Sequence, residues 1–190
     1  MTTQVTTWYL EMLDPGDLQP KLLDNSELMV QQVTIPCPEF SRFLYTSVGG
    51  HWYWCDRLPW NYEQWLASLT RPELETWVAY LSGTPAGYIE LECQTDGSVK
   101  IVYFGLLPQF IGQGVGGHLL TVGIKRAWDM GANRVWVHTC NLDGPHAFKN
   151  YQARGLRLYD TRVGDRQLAE RSPGPWPGAA MDKHVLQLKH

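Results

Sequence analysis

Apolar residues fall in short alternating runs over much of the chain, and at helical spacing in between. Two-residue alternation predicts a strand over residues 6–12, closed by the turn Asp14-Pro15-Gly16, and a second extended stretch over 28–35. Pro38 opens a helix through Ser47 that ends at Gly49-Gly50. Asn61 as cap with Gln64 three residues on predicts another, through Trp65, Leu66 and Leu69 and stopping before Pro72. Short strands then follow over 75–81, 86–93 and 99–106, joined by Ser82-Gly83-Thr84-Pro85 and by a turn containing Asp96-Gly97, which reads as an antiparallel meander. After it come a helix over 114–130 ending on Gly131, a strand over 134–140, a helix opened by Pro145 and closed by Gly155, and a strand over 156–161. The strand, helix, strand passage calls for a right-handed crossover between roughly parallel strands. A Pro/Gly-rich loop at 172–178 precedes a last expected strand at 184–188.

Composition narrows the picture. At 190 residues the chain suits one domain, 1–190, and 44% apolar with 18% charged residues is too hydrophobic for disorder. No apolar run reaches the roughly 20 residues of a membrane span. Sixteen basic against nineteen acidic residues give a net charge of −3, without the basic excess that nucleic-acid binding needs. Neither nucleic acid nor membrane is an expected partner, and the N-terminus lacks the pattern of an export signal, so a cytoplasmic protein is expected. Cys37, Cys55, Cys93 and Cys140 show no paired spacing; reduced, mostly buried thiols and no metal site are expected.

Chemistry concentrates at Gly112-Gln113-Gly114-Val115-Gly116-Gly117, which follows a strand and opens a helix. Bare N–H groups at a helix start hold anions, and glycine lets a phosphate approach the backbone. Gly112, Gly114 and Gly117 also satisfy the GxGxxG spacing of dinucleotide sites, with Asp143 as a conceivable ribose acid. That reading is disfavoured: residues 108–111 intervene between strand and glycines, a meander lies upstream, and too few residues remain for a doubly wound sheet.

Leu106-Leu107-Pro108, the loop from Ile111 to Gly116 and the helix start His118-Leu119-Leu120 resemble the phosphate-loop segment of the GNAT acyltransferase superfamily. The segment from Ala147 through Tyr151 to Gly155-Leu156 resembles that family's A-x-x-x-Y-x-x-x-G-F motif, so the similarity covers about 75–161. It implies an α/β fold with a mixed, mostly antiparallel sheet, flanking helices and a splayed central strand pair. It also implies acetyl-CoA as acyl donor, with pantetheine pairing along Phe104 to Leu106 and pyrophosphate on the loop Ile111, Gly112, Gln113, Gly114, Val115, Gly116 and Gly117. The loop's usual first Arg or Gln is Ile111 here, which leaves the grip to backbone amides; Lys125, Arg126 and Arg154 are available cations. A tyrosine matching Tyr151 lies near the coenzyme sulfur in that family and protonates the departing thiolate.

The implied function is transfer of an acetyl group to a primary amine of a small molecule by direct attack. Where family members often carry a glutamate on the strand before the loop, this chain has Lys100. The proton-acceptor candidates are therefore Glu90 and Glu92, which share a strand face with Tyr88, and His138. The aromatic segment 51–60 supplies Trp52, Trp54 and Trp60 for an acceptor pocket. A non-catalytic acyl-CoA-binding sensor or interaction module on the same fold is the alternative, and a homodimer is left open.

Overall fold

A computed structural model describes residues 2–176. It contains seven strands and four α-helices: β1 (Thr2–Met12), β2 (Leu28–Gln32), α1 (Pro38–Gly49), α2 (Tyr62–Leu69), β3 (Leu74–Leu81), β4 (Thr84–Cys93), β5 (Ser98–Leu106), α3 (Val115–Asp129), β6 (Arg134–Cys140), α4 (Ala147–Ala153) and β7 (Arg157–Gln167). Local chemistry sets the ends. Asn61 and Gln64 close the reciprocal capping box that starts α2, and Gly131, at φ +87°, follows α3 where a side chain would be strained.

The strands form one sheet in the order β2-β3-β4-β5-β6-β1-β7, antiparallel throughout except for the parallel pair β5 and β6. The expected meander is β3-β4-β5, and β5-α3-β6 is the passage between parallel strands. Alternation along β4 feeds two cores. On one face Ile89 and Leu91 pack with Leu119, Leu120 and Ile124 of α3 and with Val99, Ile101, Val135 and Val137. On the other, Tyr88 joins Leu44 and Val48 of α1, Val78 and Leu107. Each such aliphatic side chain, taken fully out of water, contributes about 1.5–3 kcal/mol.

Four expected boundaries move. β1 begins at Thr2 and β7 runs to Gln167, both longer than expected, because they pair from Thr2↔Gln167 to Glu11↔Arg157. That pairing extends into polar sequence, where hydrophobic alternation gives no signal. β2 ends at Gln32, short of residue 35, and α4 starts at Ala147, two residues after Pro145. The thiols differ as well: Cys55 is exposed and the other three are half-buried, Cys93 packing against the edge of the larger core. The strand expected at 184–188 lies outside the described residues, as does the end of the 172–178 loop.

Candidate active site

The parallel ladder between β5 and β6 runs from Ser98↔Arg134 to Ile101↔Val137 and stops. Beyond it β5 continues to Leu106 paired only with β4, and β6 continues to Cys140 paired only with β1, so a gap opens in the middle of the sheet. A register shift between Glu90 and Leu91 marks where β5 bends away. The Leu107 N–H donates to Ala86 O on β4 at 2.9 Å, so by strand alternation the Leu106 N–H points to the opposite side, toward the gap.

The glycine segment stands at the head of this opening. Gly114 caps α3 at φ +82° and Gly112 has φ +87° with no atom within 4 Å of where a Cβ would stand. Unpaired amides of the first helical turn face outward there, the arrangement that favours an anion. Gly116 lies against Leu106 of β5 and near the Asn150 amide of α4, tying the loop to both walls of the gap.

Tyr151 of α4 is buried, its ring 5.8 Å from Phe104 of β5. Burial, and then the Asp143 charge, push its phenol well above the usual range, so it remains a proton donor. Asp143 is held by Thr139 Oγ1 at 2.7 Å and by the Cys140 N–H at 2.8 Å. It borders a cavity of about 250 Å³ between the end of β6 and α4, lined also by Trp8, Cys140, Gly144 and Phe148.

The three proton-acceptor candidates separate. Glu90 is buried and both its oxygens accept from Arg57, at 2.6 and 3.0 Å, which occupies the lone pairs a base would use. Glu92 pairs with Lys100 across the ladder, away from the gap. Burial raises its pKa, but hydrogen bonds from Arg71 and Gln94 outweigh this and hold it below the usual range. His138 is the first residue of β6 past the last parallel rung, beside the rings of Tyr9 and Trp136. His138 is itself exposed; partial desolvation by its neighbours and then the Lys100 charge lower its pKa, so the imidazole is neutral and able to accept a proton at pH 7.

The aromatic segment does two jobs. Trp52 stacks its ring edge against Gly144, reaching from the α1 side to the loop after β6. Trp54 instead packs inward on Gly49, Tyr45 and Tyr103, and Trp60 lies on Trp65 with the Arg57 guanidinium 4.9 Å from its ring centre. Sequence reasoning missed the polar cluster between them. Asp56 accepts from Tyr45 at 2.6 Å and from Tyr103, and Tyr45 in turn accepts the Arg57 N–H at 3.2 Å. Burial pushes the Asp56 carboxyl up, yet the two phenols more than reverse this and it is held low. The one available signal was Asp56-Arg57 embedded among tryptophans.

Solved N-acetyltransferases share this fold. A GCN5-related N-acetyltransferase from Sphaerobacter thermophilus superposes with a TM-score of 0.64 at 18% identity, over 86% of this chain and 51% of that one. Another from Kribbella flavida gives 0.62 at 20% identity, over 85% and 58%. An aminoglycoside acetyltransferase from a soil metagenomic sample, solved with trehalose, gives 0.59 at 16% identity, over 68% and 88%. The chain thus spans little more than half the length of the first two. No curated protein matches the sequence. The chain belongs to the acetyltransferase (GNAT) family, whose profile matches residues 35–156, from just before α1 to the end of α4.

Proposed function

We propose that this protein transfers an acetyl group from acetyl-CoA to the primary amine of a small-molecule acceptor by direct attack. The observation that carries the reading is the parting of β5 and β6 beyond Ile101↔Val137, with the glycine start of α3 at its head. The donor supplies an activated thioester carbonyl. The residues present fit it: amides from Gly112 to Gly117 for the diphosphate, the free edge from Phe104 to Leu106 for the pantetheine arm, and an open approach at Gly112.

An alkyl amine of pKa about 10.4 is neutral in roughly one molecule in a few thousand at pH 7, a handicap of about 4.6 kcal/mol. His138 takes the proton that the amine loses as its nitrogen adds to the carbonyl. The Leu106 N–H donates to the oxygen that becomes negative. Tyr151 gives its proton to the departing thiolate, leaving an amide and free coenzyme A; a phenol near 10 against a thiol near 8.5 is uphill by about 2 kcal/mol at ordinary pKa values, and the raised pKa of the buried phenol steepens the step, so the hydrogen bond to the charge developing on sulfur carries the assistance. Trp52 closes the acceptor side, while Trp54, Trp60 and the Arg57–Glu90 pair hold that wall in place. Acetyl-CoA at a hundredfold excess over its dissociation constant stabilises the fold by about 2.7 kcal/mol, read as a rise in melting temperature. No shift with acetyl-CoA or free coenzyme A overturns the assignment. A shift without thiol release over a broad amine panel favours the non-catalytic alternative.

A further inference from the structure

Of the three cations that follow the glycine segment in the sequence, Lys125, Arg126 and Arg154, two are accounted for. Arg126 donates to both oxygens of Glu75, at 2.7 and 2.8 Å, and Lys125, its neighbour on α3, is exposed. Arg154, just after α4, is different. Its residue is 8% exposed, its Nε donates to Ala153 O at 3.0 Å, and its buried Nη1 has no hydrogen-bond partner among the described residues. A Cβ built on Gly117, in the first turn of α3, would fall 2.9 Å from that Nη1 and 2.8 Å from Cδ of Lys21. The segment after β1 brings Lys21 there: its N–H donates to Thr121 Oγ1 at 2.9 Å, and the Leu23 N–H to His118 Nδ1 at 3.1 Å. Leu23 also lies against Gly114, so this strap borders the anion-binding turn.

We propose that the Arg154 guanidinium, with Lys21 above it, grips the diphosphate of the acyl donor at the first turn of α3 and supplies the side-chain charge that Ile111 lacks. The inference rests on the donor reading given above. A buried guanidinium with an unused donor destabilises the unliganded fold, and an anion against bare helix N–H groups satisfies both partners at once. Glycine at 117 is what leaves room for the guanidinium, because a Cβ there would collide with it.

The test is calorimetric binding of coenzyme A, dephospho-coenzyme A and pantetheine to wild type, Arg154→Met and Arg154→Lys, with the melting temperature of each unliganded protein. Loss of a charge-assisted contact weakens coenzyme A about tenfold or more in Arg154→Met. Dephospho-coenzyme A weakens by the same factor, pantetheine is unchanged, Arg154→Lys recovers part of the loss, and the unliganded Met variant melts no lower than wild type. Unchanged coenzyme A affinity in Arg154→Met overturns the proposal. So does a loss confined to coenzyme A, which puts the contact on its terminal phosphate, and so does equal weakening of pantetheine, which makes the effect structural. If wild type itself binds no coenzyme A, it is the donor reading that fails.

Discussion

In the proposed reaction Tyr151 and His138 carry opposite protonation demands, and their surroundings set them in opposite directions. Burial beside Asp143 keeps the phenol protonated, and desolvation with Lys100 keeps the imidazole neutral. Tyr151→Phe is expected to lower turnover at least about tenfold with acyl-CoA affinity little changed, as single-turnover kinetics and calorimetry will show. Unchanged turnover removes the acid role. The pH profile follows from the lowered His138 pKa: the base is lost on protonation, so the rate falls on the acid side with a midpoint below 6.5, the ordinary histidine value. His138→Asn abolishes that limb. A profile whose acid limb survives in the variant places the base elsewhere.

At the scale of elements, the loop that precedes α2 is fastened to β4 by Arg57 and Glu90, whose side chains are 7% and 3% exposed. Breaking a buried pair from one side costs about 3–5 kcal/mol, so Arg57→Met is expected to lose that much stability in denaturant melts. Arg57→Met with Glu90→Met recovers most of it, since no charge is left buried alone. An equal loss in single and double variants means that the aromatic contacts of Arg57, not its charge, hold the loop. The start of α3 depends on backbone shape. Gly114→Ala forces a side chain into φ +82° with its Cβ 2.7 Å from Leu23, and is expected to cost about 1–2 kcal/mol as well as donor affinity. Gly164→Ala on β7, where a Cβ meets nothing within 4 Å, is the control and leaves the melt unchanged.

For the whole molecule, the most consequential feature is the place of β1. It is bonded on one side to β6 and on the other to β7, and it buries Leu10 and Met12 in the larger core. A chain lacking residues 2–12 is therefore expected to show no cooperative unfolding transition by calorimetry, because, among the described residues, β7 loses its only partner in the sheet and β6 one of two. A sharp transition in the shortened chain contradicts this role. The strap that follows β1 passes over α3 at Thr121 and His118 before reaching β2 at the far edge, so one N-terminal segment spans the sheet and borders the glycine-rich start of α3.

Much of this was legible in the residues themselves. The capping box at Asn61 and Gln64, the turn glycines, the meander and the glycine run at the start of α3 are local signals, since their conformational preferences act over a few residues. The two motifs around Gly112 to Gly117 and Tyr151 were legible for the same reason. What stayed hidden depends on partners far apart in the chain. Nothing in the polar stretch before Val5 or after Thr161 announces that these ends pair with each other, and no spacing rule joins Arg57 to Glu90 or Asp56 to Tyr45 and Tyr103. Glu90, Glu92 and His138 were equivalent as residue types; burial and bonding distinguished them. The amino-acid sequence alone thus determined the elements, their order and the glycine-rich start of α3, because these follow from short-range backbone and hydrophobic preferences. Tertiary structure alone decided which strands part, which carboxylate is tied down and which arginine keeps an unused buried donor, because desolvation and pairing are properties of groups brought together from distant positions.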